Sequence, residues 1–217
     1  MNIEKARFNM IEQQIRPWDV LDPQVLDLLS TVKRENYVPE AYRNLAFADM
    51  EVPLPGAQAM LPPKIEARVL QELAVHAHET VLEIGTGSGF MAALLAHRAR
   101  RVFSVERLPE LVSFAQKNLL ANGVGNVEVI QGNGALGWAD GSPWDVIVVS
   151  GGLPVLPQAM LEQLKIGGRL SAFVGEAPIM KAQIVTRSSE TEFLITDIFE
   201  TYVAPLAEAV APSRFQF

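Results

Sequence analysis

The sequence contains no cysteine. That absence excludes a thiol nucleophile, cysteine-ligated zinc and a disulfide-stapled secreted scaffold. Positive charge is also short. The chain carries 18 Lys and Arg against 25 Asp and Glu, a formal charge of −7. A domain-wide basic footprint is therefore missing, and nucleic acid is not expected as a partner. Histidine is scarce. His76 and His78 flank Ala77 without a clustered third ligand, so no metal is expected and the pair reads as a surface loop. No apolar run approaches the ~20 residues needed to cross a bilayer. Met1 to Gln14 mixes Glu4, Lys5, Arg7 and Glu12 among apolar residues and has no leader-like apolar core. The expectation is a cytoplasmic protein that does not engage a membrane.

What is present describes an ordinary globular chain: 217 residues, 49% hydrophobic and 20% charged. A domain of this size buries roughly 70% of its unfolded surface and needs no covalent staple. A single domain over 1–217 is expected. Within it, residues 1–79 supply helices and a loop, and residues 80–217 form an α/β core.

Phe8, Ile11 and Ile15 fall at helical spacing, and Pro17 ends that helix. Asp22-Pro23 reads as an N-cap followed by proline at the first helical position. Val25, Leu26, Leu28 and Leu29 supply the buried face of the helix that follows. A short helix is expected over Pro39 to Leu45. Met50 to Pro63 holds Pro53, Pro55, Gly56, Pro62 and Pro63, which predicts a loop with one short extended piece. Loops of that length in a compact domain are often functional. A helix from Lys64 to Leu73 follows.

From residue 80 strand and helix alternate. The expected strands are Thr80 to Ile84, Arg101 to Val105, Val127 to Ile130, Asp145 to Ser150 and Gly168 to Val174. The expected helices are Phe90 to Ala99, Pro109 to Asn122 and Pro157 to Lys165. The strands are short and apolar, as in a parallel sheet covered on both faces, so the fold class is a doubly wound α/β sheet. Ala182 to Thr186 and Phe193 to Phe199 flank a polar stretch and predict an antiparallel hairpin that closes the sheet.

The strongest chemical signal is Glu83-Ile84-Gly85-Thr86-Gly87-Ser88-Gly89-Phe90, where a strand hands over to a helix. Glycines allow a sharp turn and a close ligand approach, and the helix N-terminus offers free N–H groups. Dinucleotide sites favour G-x-G-x-x-G. Here Phe90 occupies the third-glycine position, and the Glu83 carboxylate would repel a pyrophosphate. It would suit an ammonium group, such as that on the methionine part of S-adenosylmethionine. Glu106, at the end of the next strand, can accept hydrogen bonds from two ribose hydroxyls, with Arg107 beside it. Gly132-Asn133-Gly134 ends the third strand, where a polar side chain could read an adenine edge.

These residues resemble the protein-L-isoaspartate O-methyltransferase family. The resemblance runs from about Leu26 to Leu206. It rests on Val32 to Glu40, on Ala46-Phe47-Ala48-Asp49 leading into Val52-Pro53-Leu54, and on Val81 to Phe90. Ser104 to Arg107, Asp145 to Gly152 and Leu164 to Leu170 extend it. It implies a Rossmann-like class I methyltransferase fold with an N-terminal helical cover. It also implies S-adenosylmethionine as cofactor and methyl transfer to isoaspartyl carboxylates of damaged proteins. Glu83, Gly85, Thr86, Gly87, Ser88, Gly89, Glu106, Arg107, Gly132, Asn133 and Gly134 would hold the cofactor. A carboxylate acceptor is already ionised at pH 7, so the chemistry requires no general base.

The chain departs from the family pattern where substrate is held. The family's Thr-Ile-Ser reads Ala59-Met60-Leu61 here, so neither hydroxyl position can donate. A hydrogen bond to a charged group is worth roughly 1.5–3 kcal/mol. Asn133 replaces the family's Asp, and Tyr202-Val203-Ala204-Pro205-Leu206 carries an extra Ala. Two alternatives therefore stand beside isoaspartyl repair: an unidentified, less polar small acceptor, or a non-catalytic module that binds the cofactor.

Overall fold

The computed structural model describes residues 2–210; residue 1 and residues 211–217 of the expected domain lie outside the described residues. α1 (Ile3–Met10) starts where the Asn2 side chain accepts the Lys5 N–H. It widens into π-type turns over Ile11–Ile15 and closes in a 3-10 turn over Arg16–Trp18 that holds Pro17. The expected apolar face needs one correction. Ile11 and Ile15 are buried, but Phe8 is 62% exposed. The inward face carries Arg7 and Met10 instead, because Arg7 turns in to pair with Glu35. In α2 (Pro23–Thr31) the Asp22 carboxylate caps the Gln24 N–H at 2.8 Å, and Val25, Leu26, Leu28 and Leu29 are buried. The expected short helix is a 3-10 helix over Glu40–Leu45.

The proline-rich stretch forms more structure than its composition suggests. β1 (Val52–Leu54) and β2 (Gln58–Met60) make an antiparallel hairpin with Val52 opposite Met60. Its prolines fall at Pro53, on a two-stranded ribbon with free edges, and at Pro55 in the tip, where no ladder N–H is lost. α3 (Pro63–Leu73) follows directly.

The core is one seven-stranded sheet. β3 (Thr80–Ile84), β4 (Arg101–Glu106), β5 (Val127–Gln131), β6 (Trp144–Leu153) and β7 (Leu164–Glu176) are parallel. β8 (Ile179–Arg187) and β9 (Phe193–Thr201) add the expected antiparallel hairpin. The spatial order is β5-β4-β3-β6-β7-β8-β9. Between them lie α4 (Phe90–Ala96), α5 (Pro109–Ala121) and α6 (Gln158–Glu162). α6 stops short of the expected Lys165 because Leu164 already pairs with Trp144 in the sheet.

The two faces are covered unequally. α1 to α5 and β1–β2 share one large apolar core with Val81, Val102, Val146 and Val148. The other face buries Leu82, Ile84, Ile147 and Val149 under Trp144 and under Met160 and Leu161 of α6. After β3 the chain builds outward through β4 and β5, then returns to the opposite side of β3 with β6. That reversal opens a crevice at the carboxyl ends of β3, β4 and β6, the place where open α/β sheets receive ligands.

Candidate active site

A cleft of about 250 Å³ lies at this reversal. Its floor is the turn after β3 and the ends of β4 and β5. Its roof is the β1–β2 hairpin, and the Val203–Ala207 tail closes one side. The hairpin tip rests on the start of α5. Gly56 has φ +68°, in the left-handed region that favours glycine, and packs against the side-chain ends of Leu108 and Glu110.

Gly85 (φ +89°), Gly87 (φ +53°) and Gly89 (φ +83°) all occupy the left-handed region that the strand-to-helix turn requires. Gly85 and Gly87 line the cleft and leave its wall bare of side chains. Gly89 does not. It packs on Ala115 and Leu119 of α5, and its part is the turn itself. Glu106 is 7% exposed and fixed at the end of β4. Its Oε2 accepts the Gly87 N–H and its Oε1 the Leu108 N–H, each at 3.0 Å. Each oxygen keeps a second lone pair toward the cleft for a ligand hydroxyl. Gly132, Asn133, Gly134 and Arg107 complete this side.

Asn133 and Arg107 are already engaged. The Asn133 Oδ1 accepts the Ala135 N–H at 2.9 Å, and its Nδ2 donates to Glu208 at 2.7 Å. Arg107 pairs with the other oxygen of Glu208. The tail thus reaches over the cleft rim, anchored where the Gly152 N–H donates to the Ala204 carbonyl and the Leu206 N–H donates to the Gly152 carbonyl.

Glu83 lies beneath the floor rather than in the main cleft. It is 0% exposed. Ser104 donates to its Oε2 at 2.5 Å and Ser150 to its Oε1 at 3.2 Å. Thr86 extends this network through Ser104 at 2.6 Å. Burial pushes the Glu83 carboxyl up to about 8, against the serine hydrogen bonds that favour its charged form.

Beside the glycine turn the cleft continues into a small recess under β2. Ala59, Met60 and Leu61 line it together with Thr86, Ser88, Glu66 and Glu83. Sequence reasoning missed Glu66. It belongs to α3, where Glu66, Val69, Leu70 and Leu73 are all buried at helical spacing. A charged residue inside an otherwise apolar stripe is the signal that marks it. Glu66 pairs with Arg34, which also donates to the carbonyls of Leu61 (2.6 Å) and Ala46 (3.0 Å). Burial pushes the Glu66 carboxyl up to about 7, with Arg34 pulling the other way. His76 and His78 line neither the cleft nor the recess; they are exposed before β3 with near-parallel rings.

The family described as Protein-L-isoaspartate(D-aspartate) O-methyltransferase (PCMT) matches residues 5–211. The chain belongs to this family. A protein-L-isoaspartate O-methyltransferase of Pelobacter propionicus is 39% identical over 209 residues, covering 96% of this chain and 93% of the relative. A Syntrophus aciditrophicus relative of the same name is 42% identical over 187 residues, 86% of each chain. A Plasmodium falciparum chain of the PCMT type, crystallised with S-adenosyl-L-homocysteine, superimposes with a TM-score of 0.79 at 18% identity. The overlap covers 96% of this chain and 99% of that one. The expected Rossmann-like class I methyltransferase fold is thereby met. Ala59 lies at the cleft wall, and Leu61 is packed to 9% exposure.

Proposed function

We propose that this chain transfers the methyl group of S-adenosylmethionine to the free carboxylate of isoaspartyl residues in proteins. The observation that carries the reading is family membership across residues 5–211 with the glycine turn intact at the sheet's topological reversal. The bare wall at Gly85 and Gly87 and the open lone pairs of Glu106 suit a nucleoside bearing a sulfonium-linked amino-acid chain. When bound, S-adenosylmethionine supplies an electrophilic methyl group. Glu106 would take the ribose hydroxyls, Gly132 to Gly134 with Arg107 would border the adenine, and Gly85 to Ser88 would carry the methionine part. Glu83 would hold the turn from below through Ser104 and Ser150. Ala59, Met60 and Leu61 would face the acceptor and exclude water from it. Alignment of an already ionised oxygen with the methyl carbon is then the main catalytic task.

A second reading, a less polar acceptor, is favoured by the aliphatic side chains at Ala59 and Leu61. An isoaspartyl peptide assayed with methyl-labelled cofactor decides between them. Base-labile methyl ester on the peptide supports the first. Folded, cofactor-bound protein that forms no ester, yet methylates an uncharged acceptor, supports the second. The reading does not depend on a cellular address; among the described residues, no helix is long and apolar enough to cross a membrane.

A further inference from the structure

The recess presents a charge problem for a carboxylate acceptor. Its lining already holds two carboxyl groups, Glu66 and Glu83. The cation nearest to them, Arg34, is paired with Glu66 and bonded to two carbonyls. Two of the three hydroxyls on hand are engaged: Ser150 donates to Glu83 and Thr86 is bonded to Ser104. Ser88 Oγ accepts the Phe90 N–H and keeps its own proton as a neutral donor. Both Glu83 oxygens have hydroxyl partners. Glu66 is different. Only its Oε2 is bonded, to Arg34, and its Oε1 has no partner among the described residues, although Glu66 is 4% exposed and lines the recess.

An anion placed beside that oxygen would meet a second anion in a desolvated site. Two carboxylates in contact at low dielectric do not both stay ionised; they share one proton. Resting on the isoaspartyl reading above, we propose that Glu66 is the residue that receives the acceptor carboxylate, taking up one proton from solvent as it binds. The protonated Oε1 then donates to one acceptor oxygen and leaves the other free to attack. It fills the role of the hydroxyls that Ala59 and Leu61 lack. Once the acceptor has become a neutral ester, the repulsion is gone and the proton returns to solvent, so the net reaction gains and loses none.

The surroundings favour this. Arg34 faces Glu66 from the Arg34–Asn36 turn and keeps the pair neutral overall before binding. Glu83 from β3 shares the recess, and its own carboxyl is raised by burial and by the charge on Glu66. Leu61, Val69, Met91, Val148 and Phe173 enclose the rest. A resting carboxyl raised to about 7 by burial is poised for uptake near neutrality.

Titration calorimetry tests the idea without turnover. An isoaspartyl peptide is bound to the full chain with S-adenosylhomocysteine at pH 8, in buffers of different ionisation enthalpy. Uptake of close to one proton per site is expected, and about none in Glu66→Gln, which donates without titrating. In the methyl-transfer assay, wild-type kcat/KM should fall about tenfold per pH unit above the transition. Glu66→Gln should hold a flat profile there and exceed wild type at pH 9. Peptide binding without proton uptake in the wild type overturns the role of Glu66 and leaves the isoaspartyl reading standing. The calorimetric result holds even if the variant fails to fold. No peptide binding and no ester at any pH overturns both.

Discussion

Glu106 and Gly87 are tied together across the floor of the cleft, the Gly87 N–H donating to Glu106 Oε2 at 3.0 Å. The same carboxylate holds the Leu108 N–H, so one side chain fixes both the glycine turn and the approach to α5. Glu106→Ala strands two N–H groups, each at about 1–3 kcal/mol, and removes the acceptor for ligand hydroxyls. Calorimetry with S-adenosylhomocysteine should show affinity falling at least tenfold, with a smaller fall for Glu106→Gln. Equal affinity in wild type and Glu106→Ala would remove Glu106 from the cofactor site.

Gly89 and Gly123 both have φ in the left-handed region, at +83° and +70°. A Cβ at Gly123 meets nothing within 4 Å, whereas one at Gly89 lies 3.3 Å from Ala115 and Leu119. Gly123→Ala should cost only backbone strain, about 1–2 kcal/mol. Gly89→Ala should cost more, because α4 must shift from α5. Urea unfolding curves compare the two; equal losses would contradict the packing argument.

Arg34 and Glu66 are both almost fully buried. Arg34→Met leaves the Glu66 charge uncompensated and should cost about 3–5 kcal/mol. The exposed pair Arg101–Glu128 sets the contrast. Arg101→Ala should cost at most about 1 kcal/mol. A loss at Arg34 no larger than at Arg101 would show that the buried pair is not needed for folding.

Stability should fall as pH rises toward 8. The Glu83 carboxyl is raised in the folded chain to about 8, so the folded state holds its proton more tightly than the unfolded state does. Its contribution is complete below the ordinary carboxylate range and is lost as pH climbs through the folded value. Glu66 adds the same sign up to about 7. The thermal midpoint should drop between pH 5 and pH 8, and less so in Glu83→Gln. An identical drop in the variant would locate the titration elsewhere.

Glu208 holds both Asn133 and Arg107, the residues proposed to border the adenine. Releasing one exposed hydrogen bond of ~0.5–1 kcal/mol predicts cofactor affinity up by about two- to fivefold in Glu208→Ala. The thermal midpoint should be almost unchanged, since the ion pair is exposed. Weaker binding in the variant would mean that the tail supports the cofactor rather than competes with it.

Much of the fold was legible because its signals are local. Asp22-Pro23 starts α2 through a cap two residues away. The run Thr80 to Ile84 is a strand with the bounds its apolar pattern predicts, and the polar stretch after Arg187 turns the final hairpin. The glycine spacing announced the turn after β3, and its order with Glu106 and Asn133 announced one cleft. Composition misread residues 50–63, since proline and glycine mark a loop whether or not its flanks pair as β1 and β2. Phe8 was misplaced because periodicity cannot foresee that Arg7 takes the inward face to meet Glu35.

By itself the sequence determined the α/β class, the glycine turn after β3 and the aliphatic side chains at Ala59 and Leu61. Only the tertiary structure decided what stands behind them. It brings Glu66 of α3 and Glu83 of β3 to one recess, sets Ser104 and Ser150 on Glu83, and lays Glu208 across Asn133. Those partners are 21, 67 and 75 residues apart. Strand order, helix placement and the path of the tail join them. Spacing along the chain does not encode these, because cross-sheet contact is fixed by how the whole apolar core packs.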